Sequence, residues 1–142
     1  MFAISIGALS PGYACSPERG AADLTDENFM SNASTVFVAH LTSAEEIPAP
    51  SDMERHYKKI LSASFSIVET LKGEPPANRM VRSAPYGFGN CTIPLLVGAD
   101  YIFFLKNDDS YITHIDGSSG PILHLDATAV QDRMRKLRSL VK

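Results

Sequence analysis

ILSASFSIVET, residues 60–70, alternates apolar and hydroxylated side chains. Leu61, Ala63, Phe65 and Ile67 fall on one side of an extended chain, and Ser62, Ser64 and Ser66 on the other. Successive side chains of a strand point to opposite faces, so a period of two predicts a strand with one apolar and one hydroxylated face. LKGEPPANR (71–79) breaks it, because Gly73 permits a turn and Pro75 and Pro76 cannot donate to a ladder. RMVRSA (79–84) reads as the next element.

Upstream, TVFVAHLTS (35–43) is β-branched and aromatic and is apolar on both faces near Phe37 and Val38, which predicts a second strand. EEIPAPSDMERHY (45–57), with two prolines and mixed charge, reads as a long exposed loop. Before the strand, Thr25 is a candidate cap for a short helix with Asp26 and Glu27 in its first turn and Phe29 and Met30 as buried contacts. Downstream, PYGFGNCTIP (85–94) is a loop with Gly87 and Gly89, pinned by Cys91, and Gly98 precedes the strand DYIFFL (100–105). NDDS (107–110) turns this strand into YITHI (111–115), a hairpin, and DGSSGP (116–121) ends the sheet. A final helix starts near 127, with Asp126 as N-cap and Leu125 stapled onto Val130. Val130, Met134, Leu137 and Val141 give it one apolar stripe for packing. The reading is α+β and mainly β: five short strands between a short N-terminal helix and a longer C-terminal one, an arrangement that favours a small barrel over an open sandwich.

The chain has 142 residues, enough for one domain with a real core, and its 44% apolar and 20% charged residues are ordinary for a globular protein. A net charge of −3 gives no nucleic-acid signature. Residues 127–142 hold five cations (Arg133, Arg135, Lys136, Arg138, Lys142) against Asp132, a net of +4, which leaves −7 on residues 1–126. Such a helix is either solvated on its basic face or docked on an acidic body. No apolar run reaches the ~18 residues of a membrane span.

Residues 1–14 (MFAISIGALSPGYA) carry no charge and end with Gly12 and Ala14, small residues three and one positions before Cys15. Signal peptidase accepts that pattern, so 1–14 reads as an export signal, 15–142 as one domain, and the destination as extracellular, periplasmic or the cell surface. Cleavage after Ala14 makes Cys15 the mature N-terminus. The alternative is a lipoprotein acylated at Cys15, which gives a lipid anchor. Cys15 and Cys91, 76 positions apart, are the only cysteines. In an exported chain they pair, stabilising the fold by about 4 kcal/mol, whereas in a reducing compartment they are two separate thiols.

The chemistry-bearing residues form no recognised motif. His40, His56, His114 and His124 lack metal-site spacing, there is no CxxC or HExxH, and no GxSxG, P-loop or dinucleotide fingerprint occurs. Gly87, Gly89 and Gly98 are explained by turns, and Glu45–Glu46 and Asp108–Asp109 by solvated loops. No cofactor and no metal of the chain's own is expected, and the reading is non-enzymatic. The alternative is a small thiol enzyme pairing Cys91 with a histidine, which requires a free thiolate.

An N-terminal cysteine, a helix, VFVAHL (36–41), FSIVETLKG (65–73), Cys91 and GADYIFFL (98–105) occur in the order of the netrin-like module. From Cys15 to about Ile115 the chain resembles, more closely, the bacterial relatives of tissue inhibitors of metalloproteinases. The resemblance implies a five-strand OB barrel with flanking helices and a secreted protein-binding role. It also implies that the α-amine and carbonyl of Cys15 chelate the zinc of a target metalloprotease. Ser16 and Pro17 follow in the contact segment, Ser16 entering the specificity pocket, and a Cys15–Cys91 disulfide holds the chelator. The chain departs from the family's C-x-C start, with Pro17 in the place of the second cysteine, and has no later cysteine near 116–121.

Overall fold

Two strands of 14 residues each, β1 (Thr35–Pro48) and β2 (Lys59–Lys72), pair antiparallel and organise the other elements. A computed structural model describes residues 24–51, 54, 56–85, 92–106, 111–112, 119–122 and 126–141. Around the hairpin lie helix α1 (Asp26–Asn32), the strands β3 (Met80–Ser83), β4 (Asp100–Leu105), β5 (Tyr111–Ile112) and β6 (Gly120–Ile122), and helix α2 (Thr128–Ser139). The sheet order is β5-β3-β2-β1-β4-β6. All neighbours are antiparallel except β3 and β5, which run parallel.

The mainly β class with a short leading and a longer closing helix is therefore the architecture of the chain. Several local expectations are corrected. The expected loop 45–57 begins later, because Glu45–Pro48 pair with Lys59–Ser62 and extend β1. Tyr111–Ile112 does not fold back on β4 as a hairpin but joins β3 at the opposite edge. The sheet does not end at DGSSGP, since Gly120–Ile122 pairs with Asp100–Ile102 as a sixth strand. β4 and β5 approach each other, but no ladder joins them among the described residues, so the sheet is not closed by hydrogen bonds.

The first half of β1 is covered on both faces. Phe37, Ala39 and Leu41 enter one core with Ala63, Phe65, Val81, Tyr101, Phe103 and Leu105. The rings of Phe37, Phe65 and Phe103 lie 5.0–6.4 Å apart, and Tyr101 stacks on Phe103. Val36 and Val38 face the other way, into a second core with Met30, Ala33, Leu71, Ile102, Met134 and Leu137. At about 1.5–3 kcal/mol for each fully buried large apolar side chain, this doubly buried stretch anchors the sheet. Register shifts along the β1–β2 hairpin leave Leu71, Val68 and Thr42 without a direct partner. Bulges of this kind increase twist and bend the sheet.

One end of this construction is locked by LKG (71–73). Leu71 is buried in the second core. The Lys72 ammonium donates to the carbonyls of Met30 (2.7 Å) and Ala33 (2.6 Å), satisfying the C-terminal end of α1. Gly73 has φ +63°, and a Cβ there would lie 2.3 Å from the Ser34 carbonyl oxygen. At the other end of α1 the Thr25 hydroxyl accepts from the Asn28 amide (3.2 Å), as the sequence predicts.

Helix α2 packs Met134 and Leu137 into the second core. Val130 is half-buried, whereas Val141 lies past the helix end and is exposed, which shortens the expected stripe. Its N-cap is Ala127 without a side-chain bond, not Asp126, and Leu125 lies outside the described residues. The basic face is docked on acidic residues: Arg133 on Asp26 (2.7 Å), Lys136 on Glu27 (2.9 Å) and Arg138 on Glu69 (2.7 Å). The Glu27 carboxyl is held below the usual carboxylate value by the hydrogen bond from Lys136, and that of Glu69 by the hydrogen bond from Arg138.

Two outcomes follow for stability. Gly73→Ala destabilises the fold by about 2 kcal/mol or more in urea titration, because it adds both a left-handed strain and a backbone collision. A carboxylate with a lowered folded pKa stabilises above its unfolded pKa, and that stabilisation is lost as pH falls through the folded value. The melting temperature therefore falls below pH 4.5, the ordinary glutamate value, and Glu69→Gln flattens part of that fall.

Candidate functional site

The described part of the loop between β3 and β4, residues 92–99, is fixed to the core by packing and hydrogen bonds. Thr92 and Ile93 are buried, and Leu95 packs against the first core. The buried Tyr101 hydroxyl then fixes the chain, donating to the Pro94 carbonyl (2.6 Å) and accepting from the Leu96 amide (2.9 Å). Burial pushes the pKa of this phenol up, so it remains a donor at physiological pH. The Ala99 amide donates to the Leu96 carbonyl (3.2 Å), closing a tight turn. Gly98, with φ +86°, supplies the left-handed position that the turn needs. The turn is stitched to β1, where the Gly98 amide donates to the Leu41 carbonyl (2.8 Å) and the Leu41 amide to the Ala99 carbonyl (3.0 Å).

The product is an apolar tip. Leu96 and Val97 are 50% and 57% exposed, although the residues on either side are fixed by hydrogen bonds. Most of the ordering entropy of these two side chains' backbone is already lost on folding, so a partner that covers them gains apolar burial at a reduced cost. The sequence reading explains Gly98 by turn geometry, which the structure bears out, but it passes over Leu96 and Val97. Their signal is an apolar pair directly before a turn glycine.

A second feature is a polar row on the sheet face that the helices partly cover. His40 lies opposite Asp100 on β4 and opposite Ser66 on β2. His40 Nδ1–H donates to Asp100 Oδ1 (2.8 Å), and the two side chains are 43% and 26% exposed. His40 is thus a hydrogen-bonded, half-buried strand histidine. Serine, histidine and aspartate are the residue types of a nucleophilic triad. Here, among the described residues, no hydrogen bond joins Ser66 to His40, and the row is a polar patch. Ser66 is exposed, but Ser62, expected on the same hydroxylated face, is buried. Glu45 and Glu46 are exposed, yet on a strand and not in the expected loop.

A third feature is a groove of about 510 Å³ between the helices, lined by Leu24, Thr25, Asp26, Phe29, Arg133 and Lys136. Its charges are already used in the pairs that dock α2.

The other sequence-derived candidates lie outside the described residues: Cys15, Ser16, Pro17, Gly87, Gly89, Cys91, Asp108, Asp109, His114 and His124. His56 is an exposed turn residue. Among the described residues no cluster of three or more His, Cys, Asp or Glu could hold a metal ion. No helix there is long and apolar enough to cross a membrane. Compared with known protein families and with curated proteins, the chain matches none.

Tyr101→Phe removes both bonds that hold Pro94 and Leu96 while leaving the aromatic stack. It should cost about 1–2 kcal/mol in chemical denaturation, without loss of strand circular dichroism.

Proposed function

We propose that this chain is an exported, non-enzymatic protein-binding module of the OB type, similar in plan to the inhibitors of metalloproteinases. In this reading Cys15 is the mature N-terminus, bridged to Cys91, and its α-amine and carbonyl chelate the zinc of a target protease. Ser16 and Pro17 extend the contact. The chain itself holds no metal, and its target is a protein outside the cytoplasm, not a nucleic acid.

The observation that supports this reading is the clamped tip Leu96–Val97, five residues downstream of Cys91. A chelating terminus alone gives little selectivity, because any zinc site can take an amine and a carbonyl. A rigid apolar contact tied to the same loop adds burial that only a complementary surface provides. The strand plan supports the OB assignment. In the order β5-β3-β2-β1-β4, β3 and β5 run parallel and β4 approaches β5 without a ladder between them among the described residues; in this reading the bulged sheet is a small barrel left partly open.

The test starts with the intact mass of protein secreted from the native gene, with and without reduction. The reading expects a chain beginning at Cys15 and lighter than its reduced form by the two hydrogens of a disulfide. That material should slow cleavage of a fluorogenic peptide by a zinc endopeptidase. One alanine added before Cys15 should abolish the effect by acylating the chelating amine. Leu96→Asp with Val97→Asp should weaken it about tenfold, at an unchanged melting temperature. A retained leader with two free thiols would remove the chelation mechanism.

A further inference from the structure

β1 outruns its neighbour β4. The β1–β4 ladder covers Thr35–His40, and the turn bonds at Leu41 end it. Beyond that point Thr42, Ser43, Ala44, Glu45 and Glu46 are all exposed, and Pro48 closes the strand. Their other edge is paired with β2 through to Lys59. Among the described residues no strand pairs with the outer edge of Thr42–Pro48. Main-chain donors and acceptors along an open edge are a template for another strand. The Leu96–Val97 tip stands at the end of this edge, because Gly98 is bonded to Leu41.

The charges on the edge select its occupant. Glu45 lies opposite Ser62 and Glu46 opposite Leu61, so successive carboxylates project from opposite faces of the strand. Lys59 pairs with Glu46 (3.2 Å, exposed), and among the described residues Glu45 makes no ion pair. In a second copy adding antiparallel about this stretch, Glu45 and Glu46 would meet, directly or diagonally, their own counterparts. Like charges in those positions oppose pairing. An extended segment with Lys or Arg at the matching positions is attracted instead, and its backbone continues the line of β4.

We propose that a cationic, extended segment of a partner protein adds as a strand to the edge of β1 between Thr42 and Glu46, seating an apolar residue on Leu96 and Val97. This rests on the binding-module reading and names the form of the partner. Recognition of this kind draws affinity from main-chain hydrogen bonds and selectivity from alternate side chains.

A labelled synthetic peptide, Val-Lys-Lys-Thr-Val-Thr-Leu, whose adjacent lysines match the alternate faces of Glu46 and Glu45, is titrated with the full mature chain by fluorescence anisotropy. The expected result is saturable binding that weakens about tenfold when the edge-facing peptide amides are N-methylated. Glu45→Lys with Glu46→Lys should weaken it by a similar factor and create binding of the peptide carrying Glu for Lys, at an unchanged melting temperature. Absence of binding, or equal binding of the N-methylated peptide, would overturn the proposal. So would a sedimenting dimer that Ala44→Pro dissociates, which would give the edge to a second copy. Protease inhibition that survives loss of peptide binding would remove the strand-addition claim and leave the chelation reading intact.

Discussion

Val36 to Ala39 have no side chain left in water, and this double burial is the constraint on which the other elements depend. A strand with one apolar face needs one cover, whereas this one needs two. The inner cover is the aromatic group on β2 and β4, and the outer cover is the pair of helices. Because both come from distant parts of the chain, the termini of the described structure are drawn to the same face of the sheet. The electrostatics follow from that placement: α2 carries its cations to where α1 and β2 present Asp26, Glu27 and Glu69. Lys72 and Gly73 do the same at closer range, fastening the end of α1 to the end of β2.

The burial of β1 does not persist along its length. Past Leu41 the strand loses β4, loses both covers and acquires a bulge at Thr42. Two environments are thus built into one continuous strand, a core segment and an exposed edge. The candidate surfaces collect at that transition. The Leu96–Val97 turn is bonded to Leu41, the open edge starts at Thr42, and His40 meets Asp100 two residues before it. A rigid half that ends next to an exposed half suits a protein that binds without rearranging its core.

Much of this was legible in the sequence, for identifiable reasons. The apolar run around Phe37 and Val38 has no alternation, and the structure shows why: both faces are covered. The period of two in 60–70 located β2, yet it misassigned Ser62. The face that looked hydroxylated is also the face of Ile60, and local alternation carries no information about what packs over it. Pro48 and Pro50 suggested a loop, but β1 continues to Pro48 because cross-strand pairing with Lys59–Ser62 outweighs the proline signal. The parallel pairing of Tyr111–Ile112 with β3 joins segments about thirty residues apart, which no short-range pattern reports. The clamp on the β3–β4 loop was hidden for a different reason. Tyr101 in DYIFFL reads as one more core aromatic, and only its hydroxyl partners, Pro94 and Leu96, reveal its second role.

Amide hydrogen exchange along β1 tests the central claim, that one strand passes from doubly buried core to open edge at Leu41–Ser43. The account predicts that the paired amides of Val36–Leu41 exchange only through global unfolding. The amides of Ser43–Glu46 that are not bonded to β2 should exchange orders of magnitude faster, as open-edge groups do. Uniform protection from Val36 through Glu46 would contradict the account, since it would mean that the edge is covered and the two environments are one.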